Sequence, residues 1–309
     1  MYQILAIHYS PSSGTCSAAP NVSAVFIFGD SLVDVGNNYY IDTVAMPMSP
    51  NEEDLGFENY SPPYLNPNTT GDVILKGVNY ASSGAGILNS TGSVLGAPIH
   101  FDQQINYFAK TRQDIMSRIG ASAAQQLLTK AIYFVAIGSN DIFGAEQEIL
   151  QTLYNLDARK IIVTNAPMVG CTPFERDVHS SRDKCVDFPN EVAKSYNSRL
   201  KALLQELTTN LTGSIFVYLD AYAMSEDIFT NYKSYGFDNA EFACCQVIGE
   251  HGGLVPCGNL SRVCSDRSKY VFWDPFHPTE AVNLIMAKQA LDGDINYVSP
   301  INIRQLINS

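Results

Sequence analysis

The sequence has little charge, and less of the positive sign. Only 16% of its 309 residues are Asp, Glu, Lys or Arg, and 19 basic residues stand against 31 acidic ones, a formal net charge of −12. A nucleic-acid binder needs a cationic face to displace phosphate counterions, so no nucleic-acid partner is expected. The same deficit disfavours anionic membrane surfaces. No apolar run reaches the roughly 18 residues of a transmembrane helix, so no transmembrane segment is expected. The first residues read as a poor leader. A signal peptide needs a basic start and an apolar stretch of about 7–15 residues. Met1 to Pro20 offers only Ile4-Leu5-Ala6-Ile7 before His8 and a Ser/Pro/Gly-rich stretch. Residues 1–20 therefore read as a poorly defined segment, a degraded or missing signal peptide. Internal repeats and interdomain linkers are absent too, so residues 21–298 read as one domain and 299–309 as a C-terminal tail.

A disordered chain is excluded by what is present. Hydrophobic residues make up 46% of the sequence, enough for a sizeable core. There are seven cysteines, Cys16 and a cluster of six: Cys171, Cys185, Cys244, Cys245, Cys257 and Cys264. Six suffice for three disulfides, which point to an oxidising, extracellular compartment. Zinc is the alternative, with His251 as the spare ligand, and free thiols are a third. Eleven residues separate Cys245 from Cys257 and six separate Cys257 from Cys264, so the two-residue knuckle of zinc sites is missing. Asn21, Asn59, Asn68, Asn89, Asn210 and Asn259 each begin an Asn-x-Ser/Thr triplet, which mildly supports secretion as a glycoprotein.

Along the chain, short apolar runs alternate with helical stripes. Ala24–Phe28, Tyr133–Ile137, Lys160–Thr164 and Ile215–Leu219 read as strands buried on both faces, and Val78–Ala81 as a weaker one. Ile105, Phe108, Arg112, Ile115 and Ile119 form a helical stripe ending at Gly120. Val192, Tyr196, Leu200, Leu203 and Leu207 form a second. Ala281, Val282, Leu284, Ile285, Lys288 and Leu291 form a third, opened by Pro278-Thr279-Glu280 and closed by Gly293. Such alternation implies one parallel sheet covered on both faces. Met46 to Thr70 reads as one long loop.

Ligands of open α/β sheets sit beyond the carboxyl ends of the strands. Gly29-Asp30-Ser31-Leu32 follows the first strand, Ser82-Ser83-Gly84-Ala85-Gly86 the weak one, and Gly138-Ser139-Asn140-Asp141 the next. Far along the chain stands Trp273-Asp274-Pro275-Phe276-His277-Pro278-Thr279. Each piece alone has a plainer reading. Ser31 suits an N-cap, the glycines a tight turn, Asn140 and Asp141 a turn, Asp274 a turn start before proline, and His277 an exposed imidazole. Their joint order carries more than any one of them.

That order resembles the plant GDSL esterase/lipase family, within the SGNH hydrolases. Phe28-Gly29-Asp30-Ser31-Leu32-Val33-Asp34-Val35-Gly36-Asn37-Asn38 is similar to the family's first block. Asn79 to Ile87 is similar to the second, Ile137-Gly138-Ser139-Asn140-Asp141 to the third and Phe272 to Thr279 to the fifth. The resemblance implies a three-layer α/β/α sandwich with a parallel, flavodoxin-like sheet. It also implies a serine hydrolase that cleaves carboxylic esters of lipids or small acyl groups through an acyl-enzyme, with no cofactor. Ser31 would be the nucleophile, His277 its base and Asp274 the carboxylate behind the imidazole. The backbone N–H groups of Ser31 and Gly84 and the amide of Asn140 would form the oxyanion hole. Activity is then expected to fall below about pH 5–6 as His277 protonates.

The sequence departs from the family pattern in two places. A Gly-Arg-Phe-Thr-Asn-Gly motif and a helix usually lie between the first two blocks, and neither is found after Asn38. A longer helical stretch usually follows the third block, whereas Asn140 and Leu153 are only 13 positions apart. Such internal deletions are expected to uncover part of the sheet. They leave two alternatives to the esterase reading: an inactive secreted glycoprotein of the same fold, and an acyltransferase.

Overall fold

Strands buried on both faces need apolar side chains at successive positions, and four such strands form the centre of the molecule. The computed structural model describes residues 22–45, 61–138, 140–141, 146–181, 184–258 and 261–309. Cys16 and the sequon residues Asn21, Asn59 and Asn259 lie outside them, as do residues 1–20, Ser139 and most of the Met46–Thr70 segment. Strands β1 (Val25–Gly29), β2 (Ile132–Ala136), β3 (Lys160–Thr164) and β4 (Ile215–Leu219) are mutually parallel in the order β1-β2-β3-β4.

Alternate residues of each strand enter opposite cores. Phe26, Phe28, Tyr133, Val135, Ile161 and Phe216 pack on one face with α1 (Phe101–Ile119), α2 (Ala121–Lys130), α3 (Glu146–Asn155) and α5 (Asp187–Asn210). Ile27, Phe134, Ile162 and Val217 pack on the other with α6 (Ala221–Thr230) and α7 (Glu280–Asp292). The short α4 (Pro173–Val178) lies between β3 and α5, capped by Thr172, whose hydroxyl accepts from the Glu175 N–H. The chain is therefore a three-layer α/β/α sandwich.

Four expectations change. The sheet is mostly, not wholly, parallel: β9 (Val298–Ser299) adds to β4 antiparallel. Residues 299–309 are not a loose tail, because α8 (Ile303–Ile307) buries Ile303 and Leu306 in the second core. The weak Val78–Ala81 strand does not become a regular one, yet it runs parallel beside β1. The Ile27 N–H donates to Val78 O at 3.1 Å, Tyr80 N–H to Ile27 O at 2.8 Å and Ser82 N–H to Gly29 O at 3.1 Å. Counting that segment second, the order is the 2-1-3-4-5 of a flavodoxin-like sheet. Nor is the sheet uncovered: every residue of β2 and β3 is buried, and β1 and β4 are buried but for their first residues.

The six clustered cysteines pair as Cys171–Cys185, Cys244–Cys264 and Cys245–Cys257. Their sulfurs are therefore not available to zinc. His251, the spare zinc ligand, instead sets its Nδ1 2.8 Å from the buried Asp177 carboxylate. Two of the bridges lock an excursion between β5 (Asn239–Ala243) and β8 (Tyr270–Phe272), which pair with each other. The excursion contains β6 (Cys245–Gln246) and β7 (Arg262–Val263), an antiparallel pair.

Candidate active site

The nucleophile position is set by the end of β1. Gly29 takes φ +156°, and a Cβ there would stand 2.2 Å from the Ala136 carbonyl oxygen, so only glycine lets the chain turn so close to β2. The Asp30 N–H then donates to that oxygen at 3.1 Å, and the Val33 and Asp34 N–H groups fold back onto Asp30 O. Ser31 stands at the head of this turn. Gln104 of α1 clamps it from below: its Oε1 accepts from the Gly29 N–H at 2.9 Å, and its Nε2 donates to Gly29 O and Ile99 O at 2.8 Å each. Gln104 is fully buried. It precedes Ile105 of the α1 stripe, and its partners Gly29 and Ile99 offer only backbone groups, which leave no signature in the sequence.

The imidazole arrives on a tight hairpin. The chain leaves β8 and returns at once, with the Trp273 N–H donating to His277 O and the Thr279 N–H to Val271 O, both at 2.8 Å. Asp274 closes the turn. Its Oδ1 accepts from the backbone N–H groups of Phe276 at 2.9 Å and His277 at 2.8 Å. The same oxygen lies 2.8 Å from His277 Nδ1, and Oδ2 lies 3.0 Å from it. On the ring's far side, His277 Nε2 lies 2.8 Å from Ser31 Oγ, 246 positions away in sequence. The imidazole is not the exposed ring of the plainer reading: 15% of its side chain is accessible, against 5% for Asp274.

Burial opposes charge on both members of the pair. The Asp274 charge and hydrogen bond, helped by the charge of Asp30, outweigh it at His277 and hold that imidazole above its ordinary 6.5. His277 and the two backbone N–H groups likewise outweigh burial at Asp274 and hold its carboxyl below 3.8.

The remaining sequence-selected residues meet at one rim. Gly84 lies at φ +82° in the turn after the segment beside β1. The side-chain N–H of Asn140 donates to Ala85 O at 2.8 Å. The neighbouring Asp141 carboxylate accepts from Ile87 N–H at 2.9 Å, from Leu88 N–H at 2.8 Å and from the Thr91 hydroxyl. The third block is thereby fixed to the second. Among the described residues, neither the Ser31 nor the Gly84 N–H has an acceptor. Among them too, no group of three or more His, Cys, Asp or Glu gathers as a metal site, and no helix is long and apolar enough to cross a membrane. A cavity of about 410 Å³ is lined by Trp273 of this hairpin, Arg267 and residues 263–266; Ser31, Gly84, Asn140, Asp274 and His277 are not among its lining residues.

A polar network that the sequence did not reveal ties the first block to the second. Asn37 Nδ2 donates to Asn79 O and Ala81 O at 2.9 Å each, Asn38 Nδ2 to Ser83 O at 2.8 Å, and Asn79 Nδ2 to Val33 O at 2.8 Å. These partners are 42 to 46 positions apart and mostly backbone groups, which leave no side-chain signature.

The family model described as GDSL-like lipase/acylhydrolase matches residues 25–290. The Arabidopsis thaliana GDSL esterase/lipase At4g16230 is 44% identical over an alignment of 355 positions covering 99% of this chain and 96% of that protein. That alignment is longer than the 309-residue chain, so the relative carries residues with no counterpart here. The Arabidopsis thaliana GDSL esterase/lipase At3g50400 is 39% identical, covering 92% of this chain and 91% of its own length, and GDSL esterase/lipase LTL1 is 33% identical. On a family model spanning most of the chain and relatives matched over nearly their whole length, this protein belongs to the GDSL-like lipase/acylhydrolase family.

Proposed function

We propose that the protein hydrolyses carboxylic esters with Ser31 as nucleophile, His277 as general base and Asp274 as the group that orients and charges the imidazole. The observation that carries this reading is the unbroken path Asp274–His277–Ser31, with 2.8 Å at each step. A serine hydroxyl is a weak nucleophile until a base takes its proton. With Nδ1–H directed at Asp274, Nε2 presents its lone pair to Ser31 Oγ. Attack on the ester carbonyl moves the hydroxyl proton to Nε2 and places negative charge on the former carbonyl oxygen. The free N–H groups of Ser31 and Gly84 and the second amide hydrogen of Asn140 receive that charge. His277 returns the proton to the departing alkoxide, leaving an acyl-serine and an alcohol. Water, activated by the same imidazole, releases the acid. An alcohol in place of water gives acyl transfer.

The substrate is a small-molecule or lipid ester, and the working compartment is extracellular. Three disulfides support that compartment. So do the exposed sequon residues Asn68, Asn89 and Asn210. The sequence is short of the family pattern between the first two blocks and after the third, and the Asp274–His277–Ser31 path is complete without those residues. The decisive experiment is turnover of p-nitrophenyl butyrate by the purified protein and by Ser31→Ala. Loss of turnover in the variant is expected. Equal rates would end the esterase reading and favour a scaffold glycoprotein without catalysis.

A further inference from the structure

We propose that Asp34 is a positioning residue of the oxyanion hole, holding the Gly84 turn in register with the nucleophile turn; this rests on the esterase reading above. Asp34 sits three residues after Ser31 and is fully buried, yet no cationic side chain is bonded to it. Its carboxylate is instead filled by backbone donors from two turns. Oδ1 accepts from the N–H groups of Gly36 and Asn37 at 2.8 Å each, within its own turn. Oδ2 accepts from the Ser83 N–H at 3.0 Å, 49 positions away. Ser83 immediately precedes Gly84, and the peptide joining them carries the Gly84 N–H.

The other contacts at this peptide run the same way. Asn38 donates to Ser83 O, the carbonyl of that peptide, at 2.8 Å, and its Oδ1 accepts from the Ser82 hydroxyl at 2.5 Å. The first block thus holds the Ser83–Gly84 peptide at its carbonyl, through Asn38, and the peptide before it at its N–H, through Asp34, while the Gly84 N–H is left without an acceptor among the described residues. A donor held rigid by its neighbours and kept unpaired is what stabilisation of a developing oxyanion requires, since reorientation during the reaction would forfeit the gain. Burial pushes the Asp34 carboxyl up, while the three N–H groups oppose that. An ordinary structural cap has cheaper solutions at the surface. Two acceptor oxygens are needed because two separate turns are joined, and an amide offers only one.

The test is Asp34→Asn, assayed with a p-nitrophenyl ester and its thionoester analogue. The amide keeps the shape but turns an NH2 group toward one of the two turns. A thiocarbonyl sulfur accepts hydrogen bonds poorly, so the thionoester gains little from the hole in either protein. We expect kcat for the ester to fall roughly 10²-fold with KM within about threefold. The preference for ester over thionoester should fall about tenfold or more. Val217→Ala, in the core of β4, serves as a variant of comparable thermal destabilisation and should keep the wild-type preference. An Asp34→Asn protein with the wild-type preference overturns the role of Asp34 and leaves the esterase reading intact. A wild-type protein without Ser31-dependent turnover overturns both. Should Asp34→Asn not fold, amide hydrogen exchange on the wild type decides: a Ser83 N–H that exchanges as fast as an exposed amide rejects the proposal, and a protected one supports it.

Discussion

One carboxylate oxygen, Oδ1 of Asp274, receives both the backbone N–H and the ring Nδ1 of His277, each at 2.8 Å. The turn that places the imidazole and the bond that orients it are therefore the same interaction. The three-residue spacing explains why. An Asp at the start of a tight turn bonds the N–H groups two and three residues on, and a histidine at the third position folds its ring onto the same carboxylate.

Asp274→Asn separates these duties. The amide oxygen still accepts from the Phe276 and His277 N–H groups, so the turn survives. The imidazole loses the charge that stabilises its protonated form, and the NH2 group that replaces Oδ2, 3.0 Å from Nδ1, favours the tautomer with its proton on Nε2. Thermal stability should change by about 1–2 kcal/mol, whereas kcat should fall roughly 10³–10⁴-fold. Steady-state kinetics beside a melting curve checks this; a loss of activity in proportion to the loss of folded protein would count against it.

The pH dependence has opposite signs for activity and for stability. The general base works only when neutral, and His277 is held above 6.5. The acid limb of kcat/KM should therefore have its midpoint above 6.5, higher than the pH 5–6 that the sequence alone suggested. Stability runs the other way. A histidine whose folded pKa is raised contributes fully below its unfolded value and loses that contribution as pH rises through the folded value. Asp274, held below 3.8, contributes above 3.8 and loses it as pH falls through its folded value. The pair thus supports the fold most between about 4 and 6.5, where activity is declining. Melting curves and rate profiles over pH 4–9 read both; an acid limb centred below 6 would contradict the raised imidazole.

Much of this arrangement was legible in the sequence because it rests on local patterns. The four central strands are continuous apolar runs, and two of them, β1 and β2, end at the functional turns. The residues after them, with Asp274 and His277, are recognisable as a set. Other features were hidden for physical reasons. The Val78–Ser82 segment forms only isolated bridges, to β1 on one side and to Pro63 on the other, so its pattern is weak. α8 announces itself by only two buried residues, Ile303 and Leu306. Leu284 was placed in the α7 stripe but is exposed, because Val282, Met286 and Ala290 carry the inward face. Asp34 could not be singled out, since its distant partner is a backbone N–H. Six cysteines allow 15 pairings, so the disulfide connectivity needed the fold.

Gln104 should be costly to replace although it touches no substrate. In Gln104→Leu the Gly29 N–H loses its acceptor inside the protein, at about 1–3 kcal/mol. The turn bearing Ser31 loses the clamp beneath it. A lower melting temperature is expected, together with a roughly tenfold loss of kcat measured well below the melting point. A destabilised variant with full kcat would show that the β1 end is held by its other contacts alone.

Reduction of the disulfides should reach the active site through the backbone. The Cys244 N–H donates to Phe272 O at 3.0 Å and the Cys245 N–H to Trp273 O at 2.7 Å, so the strand carrying two bridges lies directly against the chain that enters the catalytic hairpin. The Cys264 N–H donates to Cys244 O at 2.8 Å, which ties the far end of the excursion to the same point. Breaking Cys244–Cys264 by Cys244→Ala with Cys264→Ala frees a loop of 20 residues, which in the chain-entropy model costs about 3 kcal/mol. Because the freed segment supports Phe272 and Trp273, kcat should fall before global unfolding, giving an inactivation midpoint several degrees below the melting temperature. In the unreduced wild type the two midpoints should coincide. Coincident midpoints in the double variant as well would show that the excursion stabilises the domain without supporting the hairpin.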